Sequence, residues 1–365
     1  MPEYRRDPLS GRWCIIAERR AARPHQFDEA DGGIDERKPT SDAPREDCPF
    51  CRGNEAETPP EIDVDRPVEG TPGDDTWRVR VVPNKYPAVE RIEEEASIDC
   101  DDLEWISEEA WQHSRDHQLA YTAIPGLGEH EVIIDTPRHV LSLSDLDDGE
   151  AERVFRMYTR RLRALSEKGC WKHALLFKNV GRSAGASLPH THTQLMATPF
   201  VLPTVHNEMQ RARRYHQKHG TCLACDYLER ELRHEVRVVE VTDLYVVMCP
   251  YAPRFPMEVS ILPRQHHTRF EYTPDDQLAE LARLARRTVL RLEKAVPHRS
   301  LPLAYNMIFY SAPFTPIERY DYHWRILVMP SLAKAAGFEW GSGLHINPFS
   351  PEKTAERLRS LFQEL

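Results

Sequence analysis

The sequence predicts an α+β fold built on a largely antiparallel sheet, and three observations predict it. Runs with strand character outnumber helical ones, many are close enough to be joined as hairpins, and a set of landmarks recurs in the same order in two halves of the 365-residue chain. Strand character falls at 77–82, 131–135, 174–177, 236–241, 244–248, 258–262, 305–310 and 325–329. Helices show at about 145–165, and after Thr273-Pro274, where Leu278, Leu281, Ala285, Val289 and Leu292 recur on one face. A third follows Ser350-Pro351, with Leu358, Leu361, Phe362 and Leu365. In both Pro-led helices a hydroxyl before the proline reads as a cap with proline in the first turn. The stretches 26–47 and 53–75 are acidic or Pro-rich and read as loops.

Length and composition suit two domains or one composite one, divided as 1–200 and 201–365. Lys plus Arg number 48 against 58 Asp plus Glu, a net charge of −10, which argues against a nucleic-acid partner. No apolar run is long enough to span a membrane and the N-terminus lacks a secretory pattern, so a cytoplasmic protein is expected. Eight cysteines are too few for a disulfide scaffold, and four of them form two Cys-x-x-Cys pairs, a spacing that suits metal.

The landmarks of the first half are Cys48-x-x-Cys51, Arg80-Val81-Val82-Pro83, Glu131-Val132-x-Ile134 ending in His139, and His190-x-His192 with Pro199 beyond. Those of the second are Cys222-x-x-Cys225, Val246 to Pro250, Glu258-Val259-x-Ile261 ending in His266, and His323 with Pro330 beyond. His follows Glu by eight positions in both halves. Two thiols and two imidazoles per half form the donor set of a tetrahedral zinc site. The candidate ligands are Cys48, Cys51, His139 and His190, then Cys222, Cys225, His266 and His323, with His267 a competitor to His266. Two zinc ions per chain are therefore expected.

The richest segment runs from Phe177 to Gln194. It reads as a strand, a small-residue loop with Gly181 and Gly185, and a second strand carrying His190 and His192, whose side chains would share one face. One histidine can serve metal while the other faces a phosphate cradled by loop amides. Neutral imidazole is a competent nucleophile at phosphorus. Gln194, two residues further along that face, can donate to a phosphoryl oxygen. In the second half Trp324 and Arg325 follow His323, with no second histidine and no glutamine, so only the first half has a nucleophile.

These residues resemble the galactose-1-phosphate uridylyltransferase family, the transferase branch of the histidine-triad superfamily. The likeness also takes in Arg5-Arg6-Asp7-Pro8-Leu9, Gly11-Arg12-Trp13, Arg19 to Pro24, Ala312-Pro313-Phe314 and Gly337-Phe338. It implies a duplicated histidine-triad-like fold, ping-pong transfer through a nucleotidyl-histidine at His192 with Gln194 assisting, and a homodimer. Nucleotide-binding positions carried over are Arg20, Arg23, Asn84, Asn179, Gly185, Ser187 and Gln194. The partners implied are a nucleoside diphosphate sugar and either a sugar 1-phosphate or phosphate.

Two departures stand out. Some family members lack the second Cys-x-x-Cys and hold a second metal with other residues. In those enzymes the C-terminal loop that contacts the hexose phosphate carries a glutamate after a Gly-Tyr pair, whereas here the stretch is Gly337-Phe338-Glu339-Trp340-Gly341-Ser342-Gly343, which looks more like the plant-type ADP-glucose phosphorylase branch. The leading expectation is a UDP-glucose–hexose-1-phosphate uridylyltransferase. The alternatives are adenylyl transfer from ADP-glucose to phosphate, hydrolysis through the same histidine, or a non-catalytic zinc protein that binds nucleotides.

Overall fold

A computed structural model describes residues 3–16, 18, 43–67, 77–91, 126–296, 303–318 and 320–361. The strands are β1 (Glu3–Arg6), β2 (Trp13–Ile16), β3 (Asp63–Asp65), β4 (Val79–Pro83), β5 (Glu129–Ile134), β6 (His173–Val180), β7 (His192–Thr198), β8 (Val238–Val241), β9 (Tyr245–Met248), β10 (Val259–Pro263), β11 (Tyr305–Tyr310), β12 (Arg325–Pro330) and β13 (His345–Asn347). The helices are α1 (Asp148–Glu167), α2 (Pro203–His219), α3 (Leu223–His234), α4 (Asp275–Ala295), α5 (Gly337–Ser342) and α6 (Pro351–Ser360).

Among the described residues, ten strands form one antiparallel sheet in the order β3-β4-β5-β7-β6-β11-β12-β10-β9-β8. The order is mirrored about the β6–β11 pair, so β4, β5, β6 and β7 correspond to β9, β10, β11 and β12. A separate three-stranded sheet, β1-β2-β13, joins the two ends of the chain. The α+β duplication read from the sequence is therefore the architecture observed.

Alternation along the strands explains the layering. Val79, Val81, Ile133, Leu176, Leu195, Ala197, Val259, Ile261, Ile326 and Val328 turn to one face. There they pack with Val154, Phe155, Leu162, Leu281, Leu284 and Leu292 of α1 and α4 in a common core. Each of the Val, Leu, Ile and Phe side chains contributes about 1.5–3 kcal/mol when fully buried. The start of α1 is fixed by a reciprocal cap, in which Glu150 N donates to Asp147 Oδ1 (2.7 Å) and Asp147 N to Glu150 Oε2 (2.9 Å).

Several expectations are corrected. Asp63–Asp65, inside the stretch read as a loop, is a strand because it pairs with β4 at the sheet edge. Pro274 itself is the N-cap of α4, and neither Thr273 nor Ser350 makes a side-chain cap bond. His190 precedes β7 rather than lying on it. The equal Glu-to-His spacing is not a structural equivalence. Glu131 turns to the helical face, where it accepts two bonds from Arg161 of α1. Glu258 lies on the opposite face and accepts from Arg254 N (2.8 Å). The matching residues are Ile133 and Ile261, both in the common core and paired with Thr193 and Ile326 respectively.

Candidate functional site

The open face of the first half carries the candidate chemistry. Cys48 and Cys51 lie on a turn before β3, His139 follows β5 and His190 precedes β7, and all four are buried. Cys51 Sγ is 3.3 Å from His139 Nδ1 and 3.7 Å from His190 Nδ1, while Cys48 Sγ is 3.5 Å from His190 Nδ1. His190 Nε2 lies 2.9 Å from the Thr136 carbonyl and donates to it, leaving Nδ1 as the ligand atom. Burial lowers the pKa of His190 to about 3 and pushes the Cys48 thiol up to about 12. The imidazole is thus neutral, and a thiolate at 48 calls for a cation beside it.

The second cluster repeats this pattern. Cys222 caps α3 and Cys225 sits in its first turn, with Cys225 Sγ 3.5 Å from both His266 Nδ1 and His323 Nδ1. His323 Nε2 donates to the Pro263 carbonyl at 3.1 Å. Within each cluster the ligand atoms lie within 4.8 Å of one another, so each can hold a metal ion. His266, not His267, belongs to the second cluster.

His192 opens β7 and is buried on the face away from α1. Its Nδ1 lies 2.7 Å from the His190 carbonyl, an acceptor, so Nδ1 carries the proton and Nε2 the lone pair. Burial lowers its pKa, and the nearby Lys178 ammonium adds to that, so the ring is neutral at pH 7. Phe50 packs edge-on against it, with ring centres 5.2 Å apart. Behind the strand, Lys178 Nζ is fully buried and donates to Asp135 Oδ2 (2.5 Å), Thr191 Oγ1 (2.6 Å) and His192 O (3.0 Å), which ties the start of β7 to the end of β5.

Alternation puts Gln194 on the His192 face, next to Phe177 of β6 across the ladder, with Asn179 two residues further on that face. Asn179 Oδ1 accepts from Asn306 Nδ2 (2.8 Å), which also donates to Ala184 O (2.7 Å). Gly181 needs its positive φ of 77°, and a Cβ there would meet Ala304 at 2.7 Å. Gly185 (φ 89°) and Ser187 are exposed on the same loop. A strand residue of the second half thus helps set the loop of the first.

Gln194 Oε1 is 3.0 Å from His130 Nε2, and Asn84 Nδ2 is 3.2 Å from that same nitrogen, so these three residues meet. Arg20 and Arg23 lie outside the described residues. Sequence reasoning missed His130, Lys178 and Asn306. The signal for His130 was its place two residues before Val132 on a strand whose alternation aims it at the site. A lysine within an apolar run was the signal for Lys178.

Comparison with known proteins decides the family. Residues 1–202 match the model of the galactose-1-phosphate uridyl transferase N-terminal domain and 208–363 that of the C-terminal domain. The chain belongs to the galactose-1-phosphate uridyl transferase family. It is an enzyme of that nucleotidyltransferase type. It is 31% identical to an ADP-glucose phosphorylase of Arabidopsis thaliana, over 99% of this chain and 93% of that protein. It is 26% identical to a galactose-1-phosphate uridylyltransferase of Thermotoga maritima over the full length of both. The crystal structure of an Arabidopsis thaliana ADP-glucose phosphorylase with bound ADP-glucose matches with a TM-score of 0.76 and 29% identity, covering 98% of this chain and 99% of that one. A uridylyltransferase structure matches at 0.70 and 26% identity, covering 100% and 99%. Among the described residues no helix is long and apolar enough to cross a membrane.

Proposed function

We propose that the protein transfers a nucleotidyl group from a nucleoside diphosphate sugar to a phosphate acceptor through a covalent adduct on His192. The observation that carries this reading is the hydrogen bond from His192 Nδ1 to the His190 carbonyl, which leaves an Nε2 lone pair on a buried, neutral ring. In the first step Nε2 attacks the α-phosphorus, the P–N bond forms, and the bond to the leaving oxygen breaks so that sugar 1-phosphate departs with the electron pair. The His190 carbonyl holds the Nδ1 proton while the ring becomes cationic. In the second step an acceptor phosphate oxygen attacks phosphorus and the P–N bond breaks, restoring neutral imidazole. Gln194 steadies the equatorial phosphoryl oxygens in both steps. Asn84, Asn179, Gly185 and Ser187, with Arg20 and Arg23, bind the nucleotide.

Zinc is the ion that suits both clusters. With Zn–S near 2.3 Å and Zn–N near 2.05 Å, a tetrahedral S···N edge is about 3.5 Å. The spacings of 3.3–3.7 Å agree with that edge. Bound there, zinc would supply thiolate and imidazole cross-links that hold His190 and His323, and it takes no part in the phosphoryl steps.

Inorganic phosphate is favoured as acceptor over a hexose 1-phosphate, and ADP-glucose over UDP-glucose as donor. The Arabidopsis phosphorylase is more similar to this chain than the Thermotoga maritima uridylyltransferase is in sequence (31% against 26% identity), and more similar than the uridylyltransferase structure is in fold (TM-score 0.76 against 0.70). In addition, the Glu339 carboxylate is engaged at home, accepting from Ala336 N at 2.9 Å. Turnover assays decide the matter. Glucose 1-phosphate and ADP from ADP-glucose plus phosphate support this reading, whereas UDP-galactose from UDP-glucose plus galactose 1-phosphate would replace it with uridylyl exchange.

A further inference from the structure

His130 sits where the two amides of the site meet, and its proton position follows from backbone chemistry. The Ala88 backbone N–H donates to His130 Nδ1 at 3.2 Å. A peptide nitrogen can only donate, so Nδ1 carries a lone pair. Burial lowers the His130 pKa, which keeps the ring neutral at pH 7 with its proton on Nε2. The same logic orients Asn84. Its Oδ1 accepts from the Tyr86 backbone N–H at 2.9 Å, so the nitrogen near His130 Nε2 is the amide NH2, a second donor. Of the two side chains beside Nε2–H, only Gln194 offers an acceptor, Oε1 at 3.0 Å.

We propose that His130 is a positioning residue that locks the amide of Gln194 with its NH2 group, and not its oxygen, facing the phosphoryl group on His192. Asn84, with its oxygen held by Tyr86 N–H, likewise keeps its NH2 available to the nucleotide. The lock matters because an amide rotates between two nearly isosteric states. The wrong state would set a carbonyl oxygen against phosphoryl oxygens and turn attraction into repulsion. The inference rests on the proposed role of Gln194 in nucleotidyl transfer.

The test combines kinetics with a direct measurement of the proton. In the holoenzyme, His130→Ala slows nucleotidyl-histidine formation about tenfold at saturating ADP-glucose, the effect expected for losing one net hydrogen bond. KM for ADP-glucose changes less than about twofold. In a Gln194→Ala background the same substitution changes the rate little. His130→Gln, which keeps one donor and one acceptor, recovers most of the loss. Equal slowing of both backgrounds, or a rise in KM with kcat unchanged, overturns the lock. Nitrogen-15 spectra of the imidazole in the wild-type protein give a readout independent of turnover: Nε2–H is expected, and an Nδ1–H tautomer overturns the inference. Absence of any adduct in the wild type would defeat the proposed function, and the tautomer would still decide whether His130 orients Gln194.

Discussion

The two halves of the sheet share a frame and a metal-binding pattern but differ where chemistry is concentrated. Strand register makes His192 correspond to Arg325 and Gln194 to Leu327, each His or Arg two residues beyond a candidate metal ligand. At His192 a free ring nitrogen remains. At Arg325 the equivalent space is filled by the protein itself: the guanidinium makes a two-pronged pair with Glu208 of α2 (2.8 and 3.0 Å), and Tyr322 OH donates to the same carboxylate (2.9 Å). The cavity beside Arg325, Arg254 and Glu258 holds only about 30 Å³, on the order of one water molecule. In the second half an internal ion pair stands where the first presents the His192 ring, on a like strand frame and beside a like cluster.

The two halves should differ most in activity. His192→Ala is expected to lower turnover more than about 1000-fold. Arg325→Leu should leave turnover per folded molecule within about threefold, measured in a steady-state assay corrected for folded fraction. An equal loss in both would mean that the second half acts in the chemistry.

Stability should show the reverse ranking. Arg325→Leu strands a buried carboxylate and is expected to cost about 3–5 kcal/mol in denaturant unfolding. Arg325→Leu with Glu208→Leu should recover most of that, because a buried pair roughly balances its own desolvation. If the double variant is as unstable as the single one, the pair is not a self-contained filling.

Metal content distinguishes the clusters. His190→Ala and His323→Ala should each reduce two equivalents to one by elemental analysis, and a residual adduct-forming activity is expected only in the second variant. Unchanged metal after His190→Ala would mean that its assignment as ligand is wrong.

The smallest effect concerns the contact between halves. Glu293 of α4 accepts from Ser142 Oγ and Ser144 Oγ at 3.0 Å each, and burial raises its pKa from 4.5 to about 7. The folded state therefore binds the proton more tightly than the unfolded chain. That stability is fully present below about pH 4.5 and is lost as pH rises through about 7, by about 3 kcal/mol. Thermal unfolding of Glu293→Gln against wild type from pH 5 to 8 should show the slope flattened in the variant.

Much of this was legible in the sequence because metal ligands and the His-x-His-x-Gln strand are fixed by spacing. All eight candidate ligands fall into the two clusters expected, and Gln194 shares the His192 face. The register between halves was less legible: Glu131 and Glu258 look equivalent in spacing and both are buried, and it is the strand pairing and their partners that show them on opposite faces. Helix α2 was missed because Val205, Met209 and Ala212 are its few buried apolar residues amid polar ones. Pro203 in its first turn and Gly220 at its end, with φ 73°, were the available signals. His130 belongs to no motif; alternation aims it at the site, but its contact with Gln194 and the backbone donor of Ala88 that fixes its tautomer are visible only in the fold.

Nucleotidyl transfer through His192 is tested by intact-protein mass spectrometry after incubation with ADP-glucose, followed by peptide mapping, on wild type and His192→Gly. One AMP per chain is expected in the wild type, attached at His192 and discharged by phosphate, and none in the variant. An adduct that persists in His192→Gly or maps to another residue, or the absence of any adduct in the wild type with either ADP-glucose or UDP-glucose, would contradict it.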